Sequence, residues 1–161
     1  MDTERPRVEV AVVMEREAQP NRWEAWRFSV RDVMQDEAGL GSQPRVLRDD
    51  GRLRQTLFPG FALELFKDEC EGYHLNLSSG APVWFVMWRV DEDDASSARP
   101  QAVSLSYNEA GRWLDAQERV DNVPLGAELC RWLQAFTDAH YRPEPKKRKR
   151  PASFLPPDQR Q

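Results

Sequence analysis

The chain has 161 residues, 31% of them charged and 40% hydrophobic, with a net charge of −4. That length allows one domain with a core of useful size, and the longest apolar run, Pro82–Trp88, is far shorter than the ~20 residues of a membrane-spanning helix. The charge is divided unevenly: residues 142–161 hold seven bases and two acids, a balance of +5, which leaves −9 on the remaining 141 residues. The expected organisation is a single acidic domain over 1–141 and a basic, Pro-rich extended tail over 142–161.

The first residues, MDTERPRVEV, carry acids at once and no apolar stretch, so no secretory signal is expected. Val8, Val10, Val12 and Met14 alternate with Glu9, Ala11, Val13 and Glu15 and predict a strand with some apolar character on its second face. Gln19-Pro20-Asn21 breaks it, and Trp26, Phe28 and Val30 then alternate with Arg27, Ser29 and Arg31 in a second strand. Gln35–Gln43 reads as a surface loop. Residues 45–48 and 52–58 flank Asp49-Asp50-Gly51, whose Asp-Gly pair is a hairpin signal. Pro59-Gly60 predicts a further turn, and Phe61, Leu63 and Leu65 another strand.

Lys67–Gly72 is a polar link or one helical turn. The stretch Tyr73–Val90 is the expected organising hairpin: Tyr73, Leu75 and Leu77 alternate, Ser79–Pro82 turn, and Val83–Trp88 is apolar at both parities. A run of that kind needs cover on both faces and predicts a central strand. Asp91–Arg99 is acidic and aperiodic, a loop. Ala102, Val103 and Leu105 resume a short strand. Ser106-Tyr107-Asn108-Glu109 has the form of a capping box opening a helix over 107–117. Val120–Val123 is extended, and Leu125, Leu129, Trp132, Leu133 and Phe136 place one apolar stripe on a helix over 125–140. The sum is an α+β fold: a mostly antiparallel meander sheet or half-barrel of about seven short strands, packed by a C-terminal amphipathic helix and followed by the basic tail.

Chemistry is sparsely signalled. The densest cluster of acid–base or metal-ligating types is Asp68, Glu69, Cys70, Glu71 and His74, the weak candidates for a metal site in a small metal-dependent enzyme. Zinc sites draw Cys and His in pairs at short spacing, and polar side chains in a turn are ordinarily solvated. No P-loop, dinucleotide-binding or nucleophile-elbow motif occurs, and only His74 and His140 offer an imidazole base. The expectation is a protein with no catalytic residues and no cofactor. Cys70 and Cys130 fall in apolar segments and read as reduced thiols of a cytoplasmic protein.

Binding is better signalled. Core packing accounts for most of the six tryptophans, but Trp23 stands off the parity of its strand and is the one expected at the surface, where tryptophan serves protein interfaces. In the tail, Lys146, Lys147, Arg148, Lys149 and Arg150 run consecutively between prolines, and Phe154-Leu155 follows in the form of a short docking peptide. The bases alternatively suit nucleic acid or an anionic surface; the acidic body and the absence of a known nucleic-acid-binding motif favour a protein partner.

Several co-linear motifs carry a family resemblance: Val-Met-Glu-Arg at 13–16, Asn-Arg-Trp at 21–23 with Trp26, Leu-Phe-Lys-Asp-Glu at 65–69 and Gly-Tyr-His-Leu-Asn-Leu at 72–77. Pro-Val-Trp-Phe-Val at 82–86, Ser-Tyr-Asn-Glu-Ala at 106–110, Val-Pro at 123–124 and the basic run at 146–150 complete it. Over nearly its whole length the chain resembles a bacterial family, domain-of-unknown-function family 3305. The resemblance carries no catalytic residues. It implies a bacterial cytosolic accessory protein associated with formate dehydrogenase or another molybdenum enzyme.

Overall fold

A computed structural model describes residues 5–143. The fold is α+β, with seven strands in two antiparallel sheets and three α-helices among the described residues. The strands are β1 (Arg7–Ala18), β2 (Trp26–Gln35), β3 (Arg45–Asp49), β4 (Leu53–Glu64), β5 (Val83–Asp91), β6 (Asp94–Ser104) and β7 (Arg119–Pro124). The helices are α1 (Cys70–Ser78), α2 (Tyr107–Asp115) and α3 (Ala127–His140). One sheet runs in the order β2-β1-β4-β3 and the other β6-β5-β7.

The two sheets share one core because their strands alternate. Val10, Val12 and Met14 of β1 and Trp84, Val86 and Trp88 of β5 bury the same cluster, joined by Leu63, Leu65, Leu105 and Val123. β5 lies between β6 and β7, as its doubly apolar sequence requires. β1 is buried at every position from Val10 to Met14; its other parity, Ala11 and Val13, packs with Leu57 under Leu40. The two sheets also meet at an edge, where Asp121 of β7 accepts a hydrogen bond from the Val30 backbone N–H of β2 at 2.8 Å.

Four sequence expectations are corrected here. Tyr73–Leu77 is helix: α1 turns Cys70, Tyr73 and Asn76 inward, leaving His74 and Leu75 exposed. Hence Tyr73–Val90 is a helix followed by a strand, not a hairpin. Pro59-Gly60 does not end a strand; β4 continues through it with a bulge opposite Ala11, Gly60 taking φ +92°. That bulge shifts the parity, so Phe58, Phe61 and Leu63 all face the main core. Asp91–Arg99 is not a loop either, because β5 and β6 form a hairpin in which Asp91 opposes Asp94. Its polar sequence and Pro100 fit β6 as the edge of its sheet.

The helices close one end of the core. α3 buries Leu129, Leu133 and Phe136, and its partner is α1, with Phe136 edge-on to Tyr73 at 6.1 Å. α1 is held to the second sheet by Asn76, whose Nδ2 donates to the Val83 and Leu105 carbonyls, both at 2.9 Å. Asn76 Oδ1 accepts from the Val83 N–H at 3.0 Å. The expected capping role of Ser106 is present, its Oγ accepting from the Glu109 N–H at 3.1 Å. The second half of the box is not formed, since the Ser106 N–H donates to Ser104 Oγ.

Candidate functional site

The candidate site lies at the opposite end of the strands, where the β1–β2 loop overhangs the second sheet. That loop is locally determined. Gln19 N–H donates to the Ala25 carbonyl at 2.8 Å, and Asn21 Oδ1 accepts from the Trp23 N–H at 2.9 Å, an Asx turn. The turn leaves Trp23 90% exposed. Trp23 is thus at the surface, as its parity predicted.

Beneath it is an open cleft of about 450 Å³, lined by Trp23, Trp26, Phe28 and Trp88 with Arg27 and Arg119 at its sides. The strand register brings these groups together. Phe28 opposes Arg16 across β1–β2, and Trp88 opposes Arg119 across β5–β7. The Phe28 and Trp88 rings pack at 6.1 Å. Two guanidinium groups stack on the indoles, Arg16 over Trp26 at 4.0 Å and Arg119 over Trp88 at 5.2 Å.

Arg16 also borders a second, smaller hollow of about 140 Å³, walled by Met14, Phe28 and Phe58 and reached by Arg54 and Arg99. One Arg16 nitrogen donates to the Ser96 carbonyl at 2.8 Å. Burial, and then the charge of Arg54, hold the Arg16 pKa below its ordinary value. Among the described residues, two buried side-chain polar atoms lack a hydrogen-bond partner: Arg16 Nε and Trp88 Nε1. Both are donors and both belong to this region.

The acid–base and metal candidates are not brought together. Glu69 is a structural anchor, accepting from Arg112 Nη2 at 2.7 Å and from Ser106 Oγ at 3.1 Å. Cys70 points into the core, where burial pushes its thiol pKa up. Asp68 is exposed, and His74 stacks on Tyr141 at 4.7 Å on the outer side of α1. Among the described residues no three His, Cys, Asp or Glu side chains stand close enough to hold a metal ion. The tail residues Lys146, Lys147, Arg148, Lys149, Arg150, Phe154 and Leu155 lie outside the described residues. No helix among the described residues is long and apolar enough to cross a membrane.

Sequence reasoning found Trp23 but missed its companions. Trp26 and Trp88 read as ordinary core tryptophans, and nothing in their spacing places them beside Trp23. The cation–π partners Arg16 and Arg119 carry no motif; only the register across β1–β2 and β5–β7 reveals them.

No curated protein and no solved structure matches the chain. A family model described as "Protein of unknown function (DUF3305)" matches residues 9–150, most of the chain, and the protein belongs to that family.

Proposed function

We propose that this is a non-catalytic accessory protein that binds a protein partner through the Trp23 cleft. The carrying observation is the large indole held 90% exposed by a structured turn over an aromatic floor. Tryptophan truncations are among the costliest at protein interfaces. The Asn21 turn fixes the loop before any partner arrives, which lowers the ordering cost of association. The groups most suited to chemistry are engaged elsewhere: Glu69 with Arg112, Cys70 in the core, His74 against Tyr141.

The family resemblance points to formate dehydrogenase or another molybdenum enzyme as the partner. The test is co-purification of the full chain with formate dehydrogenase from its own cells, comparing the native protein with Trp23→Ala. Loss of one interface tryptophan is expected to weaken retention about tenfold or more. Equal retention by the variant would refute a role for the cleft, and no retention of the dehydrogenase by either protein would refute that partner.

A further inference from the structure

We infer that the Trp23 cleft receives an extended acidic segment of the partner protein, an inference that rests on the binding reading above. Charge is the first reason. Arg27 and Arg119 line the cleft, while Glu24 is the single acid among the described residues of its lining. Neither Arg27 nor Arg119 has a carboxylate within salt-bridge distance among the described residues, whereas Arg7, Arg48, Arg54, Arg89 and Arg112 each have one. The first 141 residues carry −9. A cationic cleft on an acidic body selects an anionic occupant and steers it to this place.

The second reason is a buried donor without a partner in a residue of the cleft's lining, Trp88 Nε1. It calls for an occupant rich in acceptors, and an extended peptide offers a carbonyl at every residue. The third is shape. Four aromatic rings line a cleft of about 450 Å³, room for an apolar side chain between Trp23 and the floor with carboxylates reaching Arg27 and Arg119. A basic segment meets like charge here. A nucleic-acid strand also stacks on aromatics, but it needs a cationic groove that follows its backbone over several nucleotides, and here the charge is local.

The experiment uses the full-length protein and three labelled probes in fluorescence anisotropy. They are a peptide of alternating glutamate and proline around one phenylalanine, its lysine-for-glutamate counterpart, and an oligothymidylate of similar length. Saturable binding of the glutamate peptide alone is expected, with a Kd below about 1 mM. Trp23→Ala and Arg119→Glu, both exposed positions, are each expected to weaken it about tenfold. Equal binding of the lysine peptide, binding of the oligothymidylate alone, or no saturable binding of the glutamate peptide would overturn the inference. So would glutamate-peptide binding that both substitutions leave unchanged. If Trp23→Ala abolishes co-purification while the glutamate peptide fails to bind, the partner-binding reading stands and the acidic segment falls.

Discussion

Replacing Asn76 should unlatch α1 from the second sheet. Asn76 is 2% exposed and makes three hydrogen bonds to backbone, two to Val83 and one to Leu105. Asn76→Leu keeps the approximate volume but strands one N–H and two carbonyls in the core. Each lost hydrogen bond costs about 1 kcal/mol, and leaving its partner buried raises that to roughly 1–3 kcal/mol. Some relaxation toward water is expected, so the net loss should be about 3–5 kcal/mol, a large part of the ~5–15 kcal/mol stability of a typical domain. Urea unfolding followed by tryptophan fluorescence reads it as a lower midpoint at unchanged slope. A loss under about 1 kcal/mol would refute the latch. Asn76→Asp adds a pH signature. Its carboxylate would face the Val83 and Leu105 carbonyl oxygens, so its folded pKa must rise above the ordinary ~3.9. The protonated, folded form then dominates at low pH, and stability of this variant falls as pH rises through that folded pKa, relative to the native protein.

Gly72→Ala should destabilise by about 2 kcal/mol or more, because its Cβ would stand 2.0 Å from Ser106 Oγ and 3.0 Å from the Asn108 nitrogen. Gly111→Ala, in the interior of α2 with nothing within 4 Å, should instead stabilise by up to about 1 kcal/mol; opposite signs in thermal unfolding check both. Iodoacetamide should label half-buried Cys130 in the native protein and reach Cys70 only through unfolding, as peptide mass spectrometry over time would show; equal rates would contradict the buried thiol. The Tyr73 hydroxyl is held well above its ordinary pKa, first by burial. The unfolded chain therefore loses that proton first, so stability should fall as pH rises above about 10, and Tyr73→Phe should lessen the slope.

The parts of the fold legible in the sequence are those where one side-chain period served one buried face. β2, with Trp26, Phe28 and Val30, and α3, with Leu129, Leu133 and Phe136, are of that kind. α1 was obscured because a polar residue, Asn76, occupies its buried face while Leu75 sits in solvent. The alternation of Tyr73, Leu75 and Leu77 was therefore accidental, and the helical spacing of Cys70, Tyr73 and Asn76 was hidden by the amide. Pro59-Gly60 is chemically suited to a turn and to a bulge alike, and only pairing with β1 decides between them. β6 is polar because it is an edge strand, so its composition resembled a loop. At the site, Trp23 was recoverable from its parity, but the cleft depends on contacts between β2 and β5, which are about sixty residues apart in the chain.

β5 separates the two concerns of the molecule along its own length. Val83, at its start, is gripped by Asn76, and Trp88, five positions on, floors the cleft. At about 3.4 Å per residue those positions are roughly 17 Å apart, beyond the 7–10 Å within which substitutions usually couple. The latch and the cleft should therefore behave independently. Trp23→Ala should leave the urea midpoint within about 0.5 kcal/mol of native, since its side chain is exposed. Asn76→Leu, measured where it remains folded, should bind the glutamate peptide as tightly as the native protein. The double variant should show the sum of the two stability changes. A coupling above about 0.5 kcal/mol, or a loss of peptide affinity in Asn76→Leu, would mean that the helical end sets the geometry of the cleft through β5.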